Sequence, residues 1–475
     1  MTRSILPRHV ALAALMLSGL AACANLQPAG LPHATPPASW SAPLPEADRT
    51  VELERWWASG SEPELASLIE DAQRVSPSVA AAQARIAQAR AQQTQARAAL
   101  LPQVSAVASG SRTSSPLYTP PLTQAQAGLQ MNWELSLASL RGADRIEARA
   151  GLESAEAKWH DARILVAAEV AGLYHEARSC RTQLRLIRDD AASRAETERL
   201  TRLSLEAGMS AAPALATARS QLAETRSRLL QQEAACEADI KGLVALSGRD
   251  ESALRATLEP ALAREGQPQP FAISALPART LAQRPDVRIA EREVLQAQAR
   301  VMQAESARLP RLSLEGFIGR GHYVSGGVSS EGRTWTFGPL ALSLPLFDGG
   351  RLAAQQAAAE ADLDASLAAW RASVRQAVRE VEEALLQLQA SEQRWQESRK
   401  ASEQAHVLLE SNGRLLQQGM LSQLDFEEIQ RQARAAELNA SALDLERQRA
   451  WITLYRAMGG GFQPLASPSE TNPAA

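Results

Sequence analysis

The chain has 475 residues, with 50 Lys and Arg against 53 Asp and Glu, and it is 45% hydrophobic but only 4% aromatic. This charge balance gives no electrostatic reason to expect nucleic acid as a partner. The length allows two or three compact domains, but the abundance of Ala, Gln, Glu, Arg and Leu indicates long helices. Beyond the N-terminal region, no stretch approaches the roughly 18 consecutive apolar residues of a spanning helix.

The first 22 residues are predicted to be a signal peptide. Two arginines precede an apolar run from Val10 to Leu20, which is too short to cross a bilayer and fits the hydrophobic region of an export signal. The segment Leu20 to Cys23 looks like a bacterial lipobox, whose cysteine is acylated and becomes the new N-terminus. The alternative is an ordinary signal peptide cut near a chance cysteine. We expect Cys23 to be lipidated, and Ala24 after it implies the outer membrane.

An internal repeat divides the rest of the chain. Residues 76–106 align without a gap on residues 284–314, with 12 of 31 positions identical and the prolines matched. Further on, Gly208-Met209 aligns with Gly419-Met420. These matches predict two tandem structural repeats. The predicted segments are 23–60 as a lipidated tether, 61–258 as the first repeat, 259–277 as a Pro-rich linker, 278–462 as the second repeat, and 463–475 as a flexible tail.

Each repeat is predicted to fold as helix, strand, strand, long helix and helix. The first helix ends at a proline, because proline cannot continue it. Two strands with period-two alternation follow. They are expected to flank loops near Gly110 to Thr123 and Gly319 to Gly332. The long helices, roughly Ala143 to Ala207 and Leu352 to Gln418, would each be on the order of 100 Å in length.

The helices carry the spacing of coiled coils. Apolar residues alternate by three and four along the long helix of the first repeat, and they recur every seven residues along the next helix, so neighbouring helices must cover these seams. A glycine turn at Gly208, and another at Gly419, would fold each long helix back as a hairpin. Cys180 and Cys236 lie on the seams, each 28 residues from Gly208. We expect a disulfide between them; the alternative is two reduced core cysteines.

The four strands cannot complete a membrane structure alone. Their outward positions are apolar, yet the smallest membrane barrels use about eight strands. An open edge in lipid would leave backbone groups unpaired. Other copies of the chain must therefore complete the sheet, and the residues alone permit two copies or more.

Four segments resemble those of a known family. They are Arg55-Trp56-Trp57 near the start, the run from Leu276-Pro277 to Arg284-Pro285-Asp286-Val287, the strand-to-helix junction from Leu344 to Arg351, and the helix end from Leu454 to Gly461. Together they identify the chain as similar to the TolC-like outer membrane factors, specifically the NodT-type lipoproteins that serve resistance-nodulation-division pumps. One departure is that Ser136, Ala138 and Ser139 stand where relatives often have an aspartate and then an aromatic-glycine pair.

The resemblance implies a mainly α fold with a β portion, assembled as a homotrimer. Three copies would form a twelve-stranded barrel in the outer membrane lipid and a helical periplasmic cylinder. The cylinder would meet a periplasmic adaptor (membrane fusion) protein and an inner-membrane pump. The implied function is passive conduction of small toxic compounds, without catalysis, cofactor or metal, and no catalytic motif is present. The alternatives are a duct for a type I protein exporter, a structural coiled-coil lipoprotein and a periplasmic enzyme.

The resemblance also implies a periplasmic constriction lined by carboxylates, and it places Asp425 and Glu428 there. Three positions apart, they share one helix face. Three copies would surround one opening with six carboxylates, which would attract cations. The alternative is helix capping, since Ser422 and Asp425 have the spacing of a capping box.

The two hairpin turns are expected to contact the adaptor; the alternative is that they are simply turns. The turn residues are Gly208 and Met209 in the first repeat and Gly419 and Met420 in the second. For Trp133 the alternatives are an interfacial aromatic belt and packing within its strand.

Overall fold

The structure is a computed structural model that describes residues 36–45, 53, 56–59, 62–115, 118–135, 140–264, 271, 273 and 277–462. The predicted signal peptide, Cys23, the junction residues 136–139 and the predicted tail lie outside this part of the chain. Among these residues, no helix has both the length and the apolar character needed to cross a membrane.

The order helix, helix, strand, strand, long helix, helix occurs in both halves, and the first half has one further helix at each end. The first half contains α1 (Trp56–Ser59), α2 (Pro63–Val75), α3 (Pro77–Ala98), β1 (Gln103–Ser115), β2 (Tyr118–Glu134), α4 (Leu140–Glu206), α5 (Ala212–Ser247) and α6 (Glu251–Leu262). The second half contains α7 (Pro277–Ala282), α8 (Pro285–Ser306), β3 (Arg311–Ser325), β4 (Val328–Ser343), α9 (Arg351–Gln417) and α10 (Gln423–Ala457). Helices α4 and α9 contain 67 residues each. The predicted fold class, long helical hairpins with two strand pairs, is confirmed. Helix α6 includes the first residues of the predicted linker.

The chain packs as two compact units, and each draws on both halves of the sequence. The strand unit comprises the described parts of Ala84–Glu156 and Arg288–Ala372. The hairpin unit comprises the described parts of Thr35–Gln83, Ala157–Val287 and Ser373–Ala475. A sequence repeat is therefore not a packing unit, because helices from both repeats cover each other's apolar faces. The repeat boundaries themselves stay a prediction.

Within the strand unit, the four strands form one antiparallel sheet in the order β1-β2-β3-β4. Because successive side chains of a strand point to opposite faces, the register gathers Val104, Leu129, Ile318 and Trp335 on one face. All four are exposed, and we call this side the apolar face. The other side is mostly polar and includes several glutamines of β2. The sheet thus has the two-sided pattern that its sequence predicts.

The loops predicted near Gly110 to Thr123 and Gly319 to Gly332 are wrong in extent, because each region holds a strand-to-strand connection that is far shorter than predicted. The strands pair through both regions, with Gly110 opposite Ala125 and Gly321 opposite Gly332. The β3–β4 connection is only Gly326-Gly327, both with positive φ. Glycine and serine interrupt isolated strands, but here the cross-strand partners supply the backbone hydrogen bonds, and sheet context overrides local propensity.

The hairpin unit has an apolar core to which helices from both halves contribute. Its fully buried side chains include Tyr174, Leu243, Leu254, Leu385 and Leu454. The N-terminal segment 36–45 is fastened to α9, because the Ser41 and Ala42 amides each donate a 2.7 Å hydrogen bond to the carboxylate of Glu382. A stretch without helix or strand is thereby held at a defined place in this unit.

A disulfide joins Cys180 of α4 to Cys236 of α5 within the hairpin unit. Their Cα atoms are 5.5 Å apart, and the bond closes a sequence separation of 56 residues. At the offset of 211 that relates the two hairpins, the second repeat has Ser391 and Arg447 instead. There the Arg447 guanidinium lies 3.7 Å from the centroid of the Trp395 ring. The two hairpins therefore use different interactions at corresponding positions.

Candidate functional site

The two hairpin tips, both in the hairpin unit, share one backbone geometry. Gly208 and Gly419 have φ values of 73° and 71°, a region that L side chains rarely adopt. The following residues, Met209 and Met420, each donate their amide to a carbonyl five residues earlier, at 2.8 and 2.9 Å. These are Schellman ends of the long helices. The two methionines are 78% and 64% exposed, so each tip presents an apolar side chain to solvent.

Asp425 lies in the first turn of α10 and takes part in its cap. The Ser422 hydroxyl accepts a 3.1 Å hydrogen bond from the Asp425 amide and donates a 2.6 Å bond to its carboxylate. The capping interaction, which is the alternative interpretation of this residue, is thus formed. It fixes the Asp425 carboxylate at the helix start while the residue stays exposed. Capping and a further electrostatic role can therefore coexist at this position.

Glu428 lies one turn further along α10 and pairs with Arg431. The guanidinium contacts the Glu428 carboxylate at 2.6 Å and donates a 2.9 Å hydrogen bond to the Thr197 hydroxyl of α4. The hydrogen bond from Arg431 is the main cause that lowers the pKa of Glu428. Glu428 is therefore ionised at neutral pH, although Arg431 offsets part of its charge.

Glu427, between these two acids, was not singled out from the sequence. It is only 5% exposed, and it accepts hydrogen bonds from the Ser193 hydroxyl of α4 and, at 2.8 Å, from the Gln423 side chain. Ser193 is 234 residues away in sequence, so no local pattern reveals the pair. Together with the Arg431–Thr197 bond, this buried contact fastens α10 to α4 near the tips.

The segment from Arg284 to Val287 joins three helices. Arg284 is 5% exposed, and its guanidinium donates 2.7 Å hydrogen bonds to the Ala457 carbonyl and the Asp286 carboxylate and a 2.6 Å bond to Glu380. A Cβ added at Gly459 would lie 2.9 Å from the Arg284 Cα. Two of the sequence segments that carry the family resemblance therefore pack directly against each other.

Trp133 takes a defined position in the strand unit. Its indole N–H donates a 3.1 Å hydrogen bond to the Leu100 carbonyl, so the ring is held against the segment that precedes β1. The belt interpretation of this residue stays a prediction. Across the described residues, no three His, Cys, Asp or Glu side chains converge to hold a metal ion.

Comparison with known proteins agrees with this architecture. The family model "Outer membrane efflux protein" matches residues 68–249 and 276–460. The pyoverdine export outer membrane protein OpmQ of Pseudomonas putida is 31% identical, over 96% of this chain and 98% of that protein. Nodulation protein T of Rhizobium leguminosarum bv. viciae is 28% identical, over 98% and 96%. The solved outer-membrane channel OprN superimposes with a TM-score of 0.75 at 25% identity, over 91% of this chain and 99% of that one. This chain belongs to the outer membrane efflux protein family.

Proposed function

We propose that this chain is the outer-membrane channel subunit of a tripartite efflux system. It would passively conduct small toxic compounds that an inner-membrane pump and a periplasmic adaptor deliver. The observation that supports this most is the pairing of one exposed apolar sheet face with two long helical hairpins in a single chain. An exposed apolar sheet face is suited to contact with lipid. Helical hairpins with coiled-coil spacing are suited to pack side by side around a channel. Relatives named for pyoverdine export and toluene efflux favour small molecules over protein cargo.

The assembly proposed is a homotrimer. Strands β1 and β4 each have one strand neighbour in the sheet, and an unpaired edge within lipid is prohibitive. Pairing of β4 with β1 of another copy would remove both edges. Three copies give twelve strands, the number that the family resemblance implies.

The proposed membrane anchor is an acyl group, such as palmitate, on Cys23. This cysteine precedes the fastened residue Ser41 by 18 positions, which an extended chain can spread over roughly 60 Å. Because Glu382 of α9 accepts hydrogen bonds from the Ser41 and Ala42 amides, the segment that follows the lipid anchor would be held against α9. A single acyl chain adds modest membrane affinity. We therefore propose that it orients the protein at the membrane more than it keeps the protein there.

The proposed aperture is formed by Asp425 and Glu428 at the periplasmic end. Both are exposed and lie on one helix face, and in a trimer six carboxylates would converge. The neighbouring Arg431 would leave a net negative ring, because each copy supplies two acids and one arginine. The buried Glu427 would hold the α10 tip to α4, so it would position these acids without lining the opening.

The proposed adaptor contacts are the two hairpin tips. Met209 and Met420 each project from a rigid glycine turn, and exposed methionines adapt well to apolar partner surfaces. Replacing both by glutamate should weaken adaptor binding while leaving the trimer intact. Cross-linking from cysteines placed at these positions would measure the contact.

The test of the function uses purified, lipidated protein in liposomes. Light scattering should give the mass of three chains, and potassium-loaded liposomes should lose their ions only when they contain the protein. A trimer that inserts but leaves liposomes tight to small ions under all conditions would contradict the channel. A monomer that never inserts would contradict the assembly as well.

A further inference from the structure

One row of outward side chains marks the boundary of the apolar residues on the apolar face. Arg320 of β3 and Arg333 of β4 are direct cross-strand partners, and the row continues with Ala127 of β2 and Ala108 of β1. Both arginines are exposed. Two guanidinium groups are therefore held side by side on the same surface as Ile318 and Trp335.

This pairing is unfavourable without an additional partner. Like charges directly opposite each other destabilise a strand pair. Within the described part of the chain, neither arginine forms an ion pair with an acid. The acid nearest to the two arginines in the strand register is Glu331, but it lies one row further on, directly opposite His322. The two arginines thus carry more positive charge than the neighbouring Glu331 can offset, and the excess calls for an anion from outside the chain.

The row stands at the boundary between apolar and polar outward positions. On the outward side of β4, exposed apolar residues begin at Trp335, two positions from Arg333, and recur as far as Leu342; the segment after the strand continues them to Phe347. This length is comparable to the roughly 9–11 residues of a tilted membrane strand. On the other side of the row, the strands end at the Gly326-Gly327 turn. The ends opposite this turn lead into helices α8 and α9. If the helices are periplasmic, as the proposed function has it, the arginines lie at the level of the outer-leaflet headgroups.

The surface beside the arginines is open to a headgroup. A depression of about 740 Å³ is lined by the small residues Ala108, Gly110, Ala125 and Ala127 of β1 and β2 and, on β3 and β4, by Arg320 and Arg333 together with His322 and Glu331 of the next row. On the side of β1 and β2 the outward residues that line the depression are all small, so an anionic group can approach both guanidinium groups from that side. Arginine forks match the oxygen atoms of phosphate in geometry as well as in charge.

We propose that Arg320 and Arg333 bind the headgroup phosphate of an anionic lipid against the outward face of the sheet. The inference rests on the proposed function, because it requires the apolar face to be in lipid. The bound phosphate would offset the repulsion between the two arginines and fix the depth of the sheet in the membrane. An attraction of about fivefold for each arginine is the size expected for a basic side chain at an anionic membrane surface.

The test uses Trp335 as a reporter in the assembled protein. With Trp133 replaced by phenylalanine, Trp335 is the single tryptophan left in the four strands as described. This protein is placed in bilayers of phosphatidylcholine mixed with phosphatidylglycerol, and either lipid carries brominated acyl chains that quench tryptophan at contact. The expected result is at least about fivefold stronger selection of phosphatidylglycerol next to Trp335. In the R320Q/R333Q variant this preference should disappear.

The control is Arg311→Gln, which removes one charge of the same sign from the opposite face and the other end of β3. It should retain the preference, and an excess of inorganic phosphate should leave it unchanged. The inference is overturned if the wild type shows no preference, if R320Q/R333Q keeps it, or if free phosphate abolishes it. Quenching by brominated phosphatidylcholine reports insertion itself. If that is absent in every variant, the proposed membrane function fails, and the lipid site fails with it.

Discussion

Gly128 and Gly319 face each other across β2 and β3, where the strand pairs of the two repeats meet. A Cβ built on Gly128 would lie 2.6 Å from the Gly319 Cα, and one built on Gly319 would lie 2.7 Å from the Gly128 Cα. The Phe317 ring lies 2.8 Å from both positions. The two halves of the sheet therefore approach more closely here than any side chain would allow.

Replacing Gly319 by alanine should weaken the sheet. The new methyl group must displace backbone of β2 or the Phe317 ring, and overpacking of this kind costs about 1–3 kcal/mol. The measurement is the yield of inserted protein and its thermal midpoint. The control is Gly332→Ala, since a Cβ at that strand position meets no atom within 4 Å. Equal behaviour of the two variants would contradict the close approach.

The Cys180–Cys236 bond should stabilise the first hairpin. Closing a separation of 56 residues restricts the unfolded chain, and the chain-entropy model gives a gain of about 4 kcal/mol at most. The double variant Cys180→Ser/Cys236→Ser should unfold at a lower temperature, whereas an excess of reductant should affect the wild type alone. Mass spectrometry after isolation without reductant should find both thiols bonded. Two free thiols would contradict the disulfide.

Asp239 should make stability depend on pH. Burial, followed by the nearby Glu176 carboxylate, raises the pKa of Asp239 to about 6, and Arg449 opposes the shift. Between its unfolded pKa of 3.8 and about 6 the folded state binds more protons than the unfolded state, so stability falls as pH rises through this window. The penalty is fully present above about pH 6 and disappears as pH falls toward 4.

The variant that tests this behaviour is Asp239→Asn. It should gain on the order of 1 kcal/mol at neutral pH, since solvent screens part of the interaction. Its thermal midpoint should also vary less between about pH 5 and about pH 7 than that of the wild type. Asp364→Asn, at an exposed position, is the control and should keep the wild-type dependence. A wild-type midpoint that rises with pH in this window would contradict the assigned sign.

Replacing Arg284 should lower the stability of the folded protein. In an Arg284→Met variant the Asp286 and Glu380 carboxylates and a helix-end carbonyl would lose their shared donor. Because the two carboxylates are 45% and 39% exposed and water can reach them, the cost should be about 1–3 kcal/mol. Arg284→Lys should recover only part of the loss, because an ammonium cannot reproduce the guanidinium fork. The thermal midpoint measures both, with Arg279→Met at an exposed position as control. A methionine variant as stable as that control would show that the buried network contributes nothing.

The helices and the candidate turns could be predicted because their signals are local. Heptad spacing and a glycine turn act within a few residues, so the predicted bounds of the long helices lie within three residues of the observed ones. The strands extend beyond their predicted ends because their glycine-rich parts depend on partners in another strand. The roles of Glu427 and Arg284 could not be predicted, because Ser193 and Ala457, their respective partners, are far away in sequence and meet them only after the helices pack.

The most direct test of the channel and its acidic aperture is single-channel conductance in planar bilayers. Wild type is compared with D425N/E428Q and with the control E397Q/E403Q, which removes two exposed acids from α9. We expect a cation-selective conductance that loses selectivity, or rises, in D425N/E428Q and is unchanged in the control. Identical conductance and selectivity in all three correctly assembled proteins would contradict the aperture. No conductance from any of them would contradict the channel itself.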